Sequence, residues 1–393
     1  MSIINCDVVI IGGGLVGATL AVGLAQNGFN VAVVDKENPD HLLTPDHDGR
    51  TTAVSLGSKK IFEKLGVWET MAPYAQPIWE IRVFEDGSPW TVDYHHKDIG
   101  PEPMGYIVQN QFLRQSLYQG LSLPNLKWIA PALVESIDYQ DQFALVKVQG
   151  GQKIEAKLVV GAEGRSSPTR SKSSISVKTW DYPEQALVAH ITHEKPHNGC
   201  AWEVFLPEGP LALLPMFDHP ETGNPRSGIV WAKSRQHNWD LWSDDDLAAQ
   251  IENHFPLYGK MTVCSKRWTY PLLALTVDSL IDRRLVLVGD AAHVVHPIAG
   301  QGVNLGWRDA DALVHHLTNV KSLGLDIGCV TTLEAYQRER KKDHRSVLFM
   351  TDGIDRLFRH PSRILRFARN AGFALVNHTP PLKRFLMKKA MGL

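Results

Sequence analysis

The feature that most constrains this chain is a stretch of eighteen residues without a charged side chain, Val8 to Ala25 (VVIIGGGLVGATLAVGLA). A run of that length raises the question of a membrane span or a leader peptide. Two features argue against both. No Lys or Arg precedes it, and Gly12, Gly13 and Gly14 interrupt it where a spanning helix would lose stability. It reads better as a buried strand, a tight turn and a buried helix. Asp7 to Ile11 is short and rich in β-branched residues, as a parallel strand covered on both faces should be. Leu15 to Gln26 is small or apolar on all sides, Gly28 supplies its stop, and Val31 to Val34 forms a second buried strand. The order is that of a βαβ unit.

Within that unit Gly12-x-Gly14-x-x-Gly17 follows a strand and opens a helix, the context in which this fingerprint carries meaning. One glycine permits the turn, one lets backbone approach a pyrophosphate, and one allows close packing of helix on strand. The free N–H groups of the helix start attract the phosphate charge. Asp35, eighteen residues beyond Gly17 at the end of the next strand, stands where a carboxylate accepts hydrogen bonds from adenosine ribose hydroxyls. FAD and NAD would both satisfy this pattern.

The distinction comes from Gly289-Asp290-Ala291-Ala292-His293, followed by Pro297 and by Gly300-Gln301-Gly302-Val303-Asn304. An aspartate at the end of a buried strand can hold a ribityl hydroxyl. A Pro-x-x-Gly-x-Gly turn brings bare backbone against a flat ring, and a helix beginning near Val303 aims its positive end there. Reduced flavin carries negative charge at its pyrimidine edge, so that dipole favours electron uptake.

These pieces imply an α/β fold: a Rossmann-like FAD-binding domain with a parallel sheet, an inserted antiparallel-sheet substrate domain, and C-terminal helices. Leu158 to Val160 and Leu285 to Val288 read as further strands of the parallel sheet, so three separated pieces of chain build it. The expected FAD-binding part is residues 1–77, 101–176 and 276–332. Alternating patterns place 78–100 and 177–275 in the substrate domain. Residues 333–393 read as helical, broken by Pro361 and by Pro380-Pro381.

From these motifs the sequence resembles the flavin aromatic hydroxylases of the para-hydroxybenzoate hydroxylase type, and within them the ubiquinone-biosynthesis hydroxylases of polyprenyl phenols and quinols. The resemblance runs nearly end to end, through DGRTTAVSLGSKKIFEKLGVW, MGYIVQNQFLRQSL, KLVVGAEGRSSPTR, GPLALLPMF, LVGDAAHVVHPIAGQGVNLGWRDADAL and MKKAMGL. It implies FAD as cofactor, dioxygen as co-substrate, NAD(P)H as reductant, and ring hydroxylation through a flavin C4a-hydroperoxide. It also implies that Arg50, Gln109 and Arg114 contact FAD. One departure bears on the reductant: Glu163-Gly164 stands where the family has aspartate and glycine in a motif linked to pyridine-nucleotide handling. The proposed chemistry belongs to the cofactor. No catalytic base is assigned, and His293 and His296 read as structural. Phe205, Leu213 and Pro215 are placed as substrate walls from their position in the second domain.

Composition narrows the partners. A formal net charge of -1 argues against a nucleic-acid-binding surface. Cys6, Cys200, Cys264 and Cys329 are scattered, and no histidine pair combines i, i+4 spacing on a helical pattern with the carboxylate that zinc chemistry favours, so neither a disulfide framework nor a metal site is expected. A cytoplasmic setting fits. The tail from Gly353 is basic: Arg356, Arg359, Arg363, Arg366, Arg369, Lys383, Arg384, Lys388 and Lys389 face one acid, Asp355. It reads either as a peripheral contact on the inner face of the membrane or with a biosynthetic complex, or as a solvated helix face. A homo-oligomer is compatible. Two further functions stay open: a flavin oxidase or dehydrogenase acting on a small amine, alcohol or lipid, and a non-catalytic flavoprotein subunit.

Overall fold

The computed structural model describes residues 3–44, 48–360 and 362–393. Three stretches of chain, within residues 3–34, 126–161 and 281–287, join in one eight-stranded sheet. Five of its strands run parallel, in the order Leu126–Ile129, Val31–Val34, Ile3–Ile11, Lys153–Gly161 and Leu285–Leu287. Ile281–Asp282 adds an antiparallel edge, and the hairpin Val134–Tyr139/Ala144–Val148 pairs with the start of Lys153–Gly161. The central strands carry apolar runs, Val8–Ile11, Val31–Val34 and Leu158–Val160, because both faces of such a sheet are covered, with Ala144, Val146 and Val148 of the hairpin in the same core as the helices. Val8, Val9, Ile10, Val159 and Val160 are fully buried. The helix Leu15–Gln26 is buried from Gly17 to Ala25, and Gly28 ends it at φ +74°.

A nine-stranded sheet forms the second layer, with neighbours in the order His293–Val294, Trp268–Val277, Val177–His193, Arg226–Ser234, Gly209–Met216, Cys200–Leu206, Glu80–Glu85 and Thr91–His95. Met261–Val263 pairs with Val177–His193 off this path. One pair departs from the expected antiparallel arrangement: Glu80–Glu85 lies parallel to Cys200–Leu206. The two strands are far apart in the chain, so no hairpin dictates their direction. Ile78 belongs to a small third sheet of Thr51–Ser55, Gly105–Gln109 and Gln76–Ile78.

The two faces of the broad sheet have different neighbours. Trp202, Val204, Leu211, Leu213, Ile229 and Trp231 pack with Leu247, Ala248 and Ile251 of the helix Asp244–His254. The opposite face meets the nucleotide-binding half: the Tyr270 hydroxyl donates to the Asp48 carbonyl at 2.7 Å, and His190 Nε2 lies 2.9 Å from the Gly49 carbonyl. A Cβ on Gly49 would come within 2.1 Å of the Trp268 ring. The C-terminal region is helical from Val330, in Val330–Arg359, Arg363–His378 and Pro380–Ala390. Pro380 stands at the first position of the last helix, where a missing N–H costs nothing. Pro361, expected to interrupt these helices, lies outside the described residues.

Candidate cofactor and active site

Three glycine motifs that are remote in sequence touch one another. Gly12 has φ +103°, and a Cβ there would fall 2.4 Å from the Ala162 carbonyl oxygen. Gly17 is as crowded, with its virtual Cβ 1.9 Å from the Gly12 carbonyl. Gly289, at φ +58°, and Gly306 both rest on Val16, inside the first motif. Gly14 differs: it faces open space and caps the helix Leu15–Gln26 without a side-chain hydrogen bond. The helix start is therefore bare, as a site for a phosphate requires.

Asp35 is buried and accepts from the Gly13 and Glu37 backbone N–H groups, one on each oxygen. A carboxylate has about four acceptor positions, so it can hold the glycine loop and still receive a ribose hydroxyl. Arg114 is buried, and donates to Asp48 at 2.5 Å and to the Leu42 carbonyl. Arg50 is exposed, 2.9 Å from the same Asp48, with its guanidinium 5.3 Å from the Tyr270 ring centre. Burial opposes ionisation of Asp48, but Arg50 and Arg114 outweigh it and bring its pKa to about 2. Gln109 caps the helix Asn110–Gln119 through its backbone, with its side-chain oxygen 3.5 Å from Arg226.

Asp290 is exposed and accepts no hydrogen bond among the described residues. The protein surrounding it raises its pKa, against the pull of His293, Arg50 and Arg165. Pro297 is exposed, and Gly300 turns at φ +59° into the uncapped helix Gln301–Ser322, two residues before the expected start. Val303 is half-buried in this first turn and Gly302 is open around its Cα. Gln301 is buried and donates to the Ala390 carbonyl of the last helix. Asn304 serves a different purpose from its neighbours: its oxygen accepts from Ser55 N and the Ser58 hydroxyl, and its nitrogen donates to the Ala53 and Gly300 carbonyls. Its amide is fully engaged in holding the loop to the small sheet.

Sequence reasoning missed the group that fixes this loop. Asp309 is fully buried and accepts from Gly289 N, His293, Arg340 and His344, the three side chains each at 2.7 Å. Burial opposes its ionisation, but His344 and His293 hold its pKa well below the ordinary carboxylate value. The available signal was a single acid, Asp309, on the helix face that carries Leu305, Gly306, Ala312 and Leu313. A second missed residue is the buried Arg170, which donates to the carbonyls of Ala291 and Arg165 and so ties two motifs together. Glu163 bonds within its own loop, to the Ser167 hydroxyl and to the amide and hydroxyl of Thr169.

The expected substrate walls separate. Phe205 stacks on Phe358 with ring centres 3.8 Å apart, and lines a cavity with Pro210, Ile298, Glu184, Asp355 and Arg359. Leu213 is 1% exposed in the far core, against the helix Asp244–His254. Pro215, two residues on, shares its side of the strand by alternation. Beside the cavity, fully buried His296 lies 3.6 Å from both Glu184 and Asp355, beyond hydrogen-bond reach. Two groups have metal-like spacing, His293/Asp309/His344 and Glu184/His296/Asp355. In each an arginine, Arg340 or Arg359, already supplies the positive charge that a metal would bring.

Residues 5–349 match the FAD binding domain family. The chain is 38% identical over 390 residues to the ubiquinone hydroxylase UbiL of Rhodospirillum rubrum, covering 98% of this chain and 89% of the relative. It is 33% identical over 395 residues to the 3-demethoxyubiquinol 3-hydroxylase of Escherichia coli, covering 98% of each. Among solved structures, p-nitrophenol 4-monooxygenase of Pseudomonas putida shares the fold, with TM-score 0.80 at 19% identity over 100% of this chain and 99% of that one.

Proposed function

The chain belongs to the FAD binding domain family and is an FAD-dependent monooxygenase, and from that premise we propose that it hydroxylates the ring of a prenylated phenol or benzoquinol in ubiquinone biosynthesis. Dioxygen is the proposed co-substrate and NAD(P)H the proposed reductant. The substrate class is supported by relatives named for hydroxylation of ubiquinone or demethoxyubiquinol, which match the chain almost throughout. The observation that carries the flavin reading is the mutual contact of the motifs around Gly12, Ala162 and Gly289, beside which Gly14 and Asp290 are both left exposed.

In this reading residues 1–77, 101–176 and 276–332 hold the cofactor, 78–100 and 177–275 face the substrate, and 333–393 close the site. The bare helix start at Gly14 would hold the pyrophosphate and Asp35 the adenosine ribose. Asp290 would hold the ribityl chain, and the Pro297 to Val303 turn the ring. Arg50 and Gln109 would flank it, while Arg114 would act through Asp48. Bound FAD would supply the reduction of dioxygen and the delivery of one oxygen atom to the ring. The polypeptide would orient the ring and exclude water with its apolar inward sheet face.

No helix among the described residues is long and apolar enough to cross a membrane. The C-terminal helices nonetheless leave Phe349, Ile364 and Phe367 at 83%, 80% and 76% exposure among basic side chains, which supports a peripheral contact with anionic lipid. The catalytic reading is tested by supplying FAD-loaded protein with NADPH, a prenylated phenol and isotopically labelled dioxygen. A product carrying one labelled oxygen is expected. Anaerobic bleaching of the flavin by a small amine or alcohol, with no oxygen incorporated, would favour an oxidase or dehydrogenase instead.

A further inference from the structure

The inward face of the broad sheet carries a carboxyl group that nothing else in the protein uses. Glu203 lies on Cys200–Leu206, whose residues Cys200, Trp202 and Val204 point into the far core; alternation turns Glu203 to the opposite side, with Ala201 and Phe205. Its cross-strand neighbours are Ala212 and Val83, so the surrounding wall is apolar, with small residues on two sides. Glu203 has no hydrogen bond or ion pair among the described residues. Its side chain is half-buried, between the buried Trp202 and Val204, and keeps part of its surface accessible; Phe205 on the same side of the strand lines the cavity with Ile298. Burial alone pushes its pKa up to about 7.

The other titratable groups on or beside this face are committed. Glu85 is paired with Arg369 at 2.5 Å and lies 3.7 Å from Arg366. Glu184 and Asp355 share Arg359 beside His296. Tyr94 is half-buried, and burial moves its hydroxyl up to about 12, too far to accept a proton near neutrality. An unpaired buried carboxyl is costly, and a fold keeps one where a ligand supplies its partner.

We propose that Glu203 binds the ring hydroxyl of the substrate and takes its proton as the ring is hydroxylated. This rests on the phenolic substrate proposed above. The phenol O–H bond breaks, the proton moves to a Glu203 oxygen, and the electron pair stays on the phenolate, enriching the ring carbons ortho and para to it. Glu203 exchanges no electrons and releases the proton to water after turnover.

The test uses full-length, FAD-loaded enzyme reduced with dithionite and mixed with oxygen and a 2-prenylphenol, alongside steady-state turnover. Glu203→Gln is expected to lower the hydroxylation rate and kcat about 100-fold, with KM changed far less and FAD retained. Glu203→Asp should restore at least part of that loss. In the native enzyme kcat should climb about tenfold per pH unit below the Glu203 pKa, because only the carboxylate accepts a proton; Glu203→Gln should lack this limb. Native-like kcat in Glu203→Gln, the limb persisting in it, or loss of FAD by both variants would overturn the proposal. Failure of the native enzyme to hydroxylate any prenylated phenol would instead overturn the substrate class on which it rests.

Discussion

Asp309 and Glu203 are both carboxyl groups deep in the same chain, and they stand in opposite states. Asp309 accepts four hydrogen bonds from Gly289, His293, Arg340 and His344, and is held ionised. Glu203 has no partner and is pushed toward the neutral form. Desolvation acts on both; the supply of donors separates them. A fully paired carboxylate joins the Gly289–His293 loop to the helix Val330–Arg359, whereas an unpaired one is available to a ligand. Side-chain chemistry alone therefore did not decide which acid is structural.

The largest way to break this comparison is Asp309→Ala, which leaves Arg340 and the two histidines without their acceptor. It should cost about 3–5 kcal/mol of unfolding free energy, read by denaturant titration, and release FAD on gel filtration. A cost below about 1 kcal/mol would make the cluster dispensable. The sign of its pH dependence follows from a folded pKa below the unfolded one. The stability it contributes is complete above about pH 4 and is lost as pH falls toward the depressed folded value.

Leu213→Ala should cost about 2–5 kcal/mol through the cavity it opens, without changing KM for a prenylated phenol. Phe205→Ala should raise that KM several-fold. Equal effects of the two on KM would mean that the faces of the broad sheet are not distinct in function.

Glu203→Gln should act on stability in the opposite direction to Asp309→Ala. Its folded pKa lies above the unfolded value, so ionisation penalises the fold, beginning near pH 4.5 and reaching its limit above about 7. Removing the charge should stabilise the protein at pH 8 by up to about 3 kcal/mol, with little change at pH 4. A thermal melt at both pH values checks this, and destabilisation at pH 8 would count against a solitary carboxylate.

The smallest effect on folding belongs to the surface. Phe367→Glu should change stability by less than about 0.5 kcal/mol and reduce sedimentation with anionic liposomes. Native-like sedimentation would exclude this helix face from lipid contact.

Much of the nucleotide-binding half was legible in the sequence. The helix Leu15–Gln26 and the strand Val31–Val34 have the bounds that their apolar runs imply, because fully buried elements advertise themselves residue by residue. The broad sheet was legible as alternating strands, but not in its single parallel pair or in which face met Asp48 and Gly49. The turn from Pro297 to Asn304 was legible, while the complete engagement of the Asn304 amide was not. Asp309 was hidden because its partners lie 16 to 35 residues away.

The sequence by itself determined the local rules: where backbone must bend at Gly12 and Gly300, where strands are covered on both faces, and which distant glycine motifs belong to an FAD-binding fold. Turn geometry and burial periodicity are short-range properties, written within a few neighbouring residues. Only the tertiary structure decided that Leu213 belongs to a core while Glu203 faces the other side of the sheet, and that Asp309 is held ionised by its partners while Glu203 has none among the described residues. Those outcomes depend on which strands pair and which helices close over them, and desolvation and pairing are set by everything within several ångströms, whatever its place in the chain.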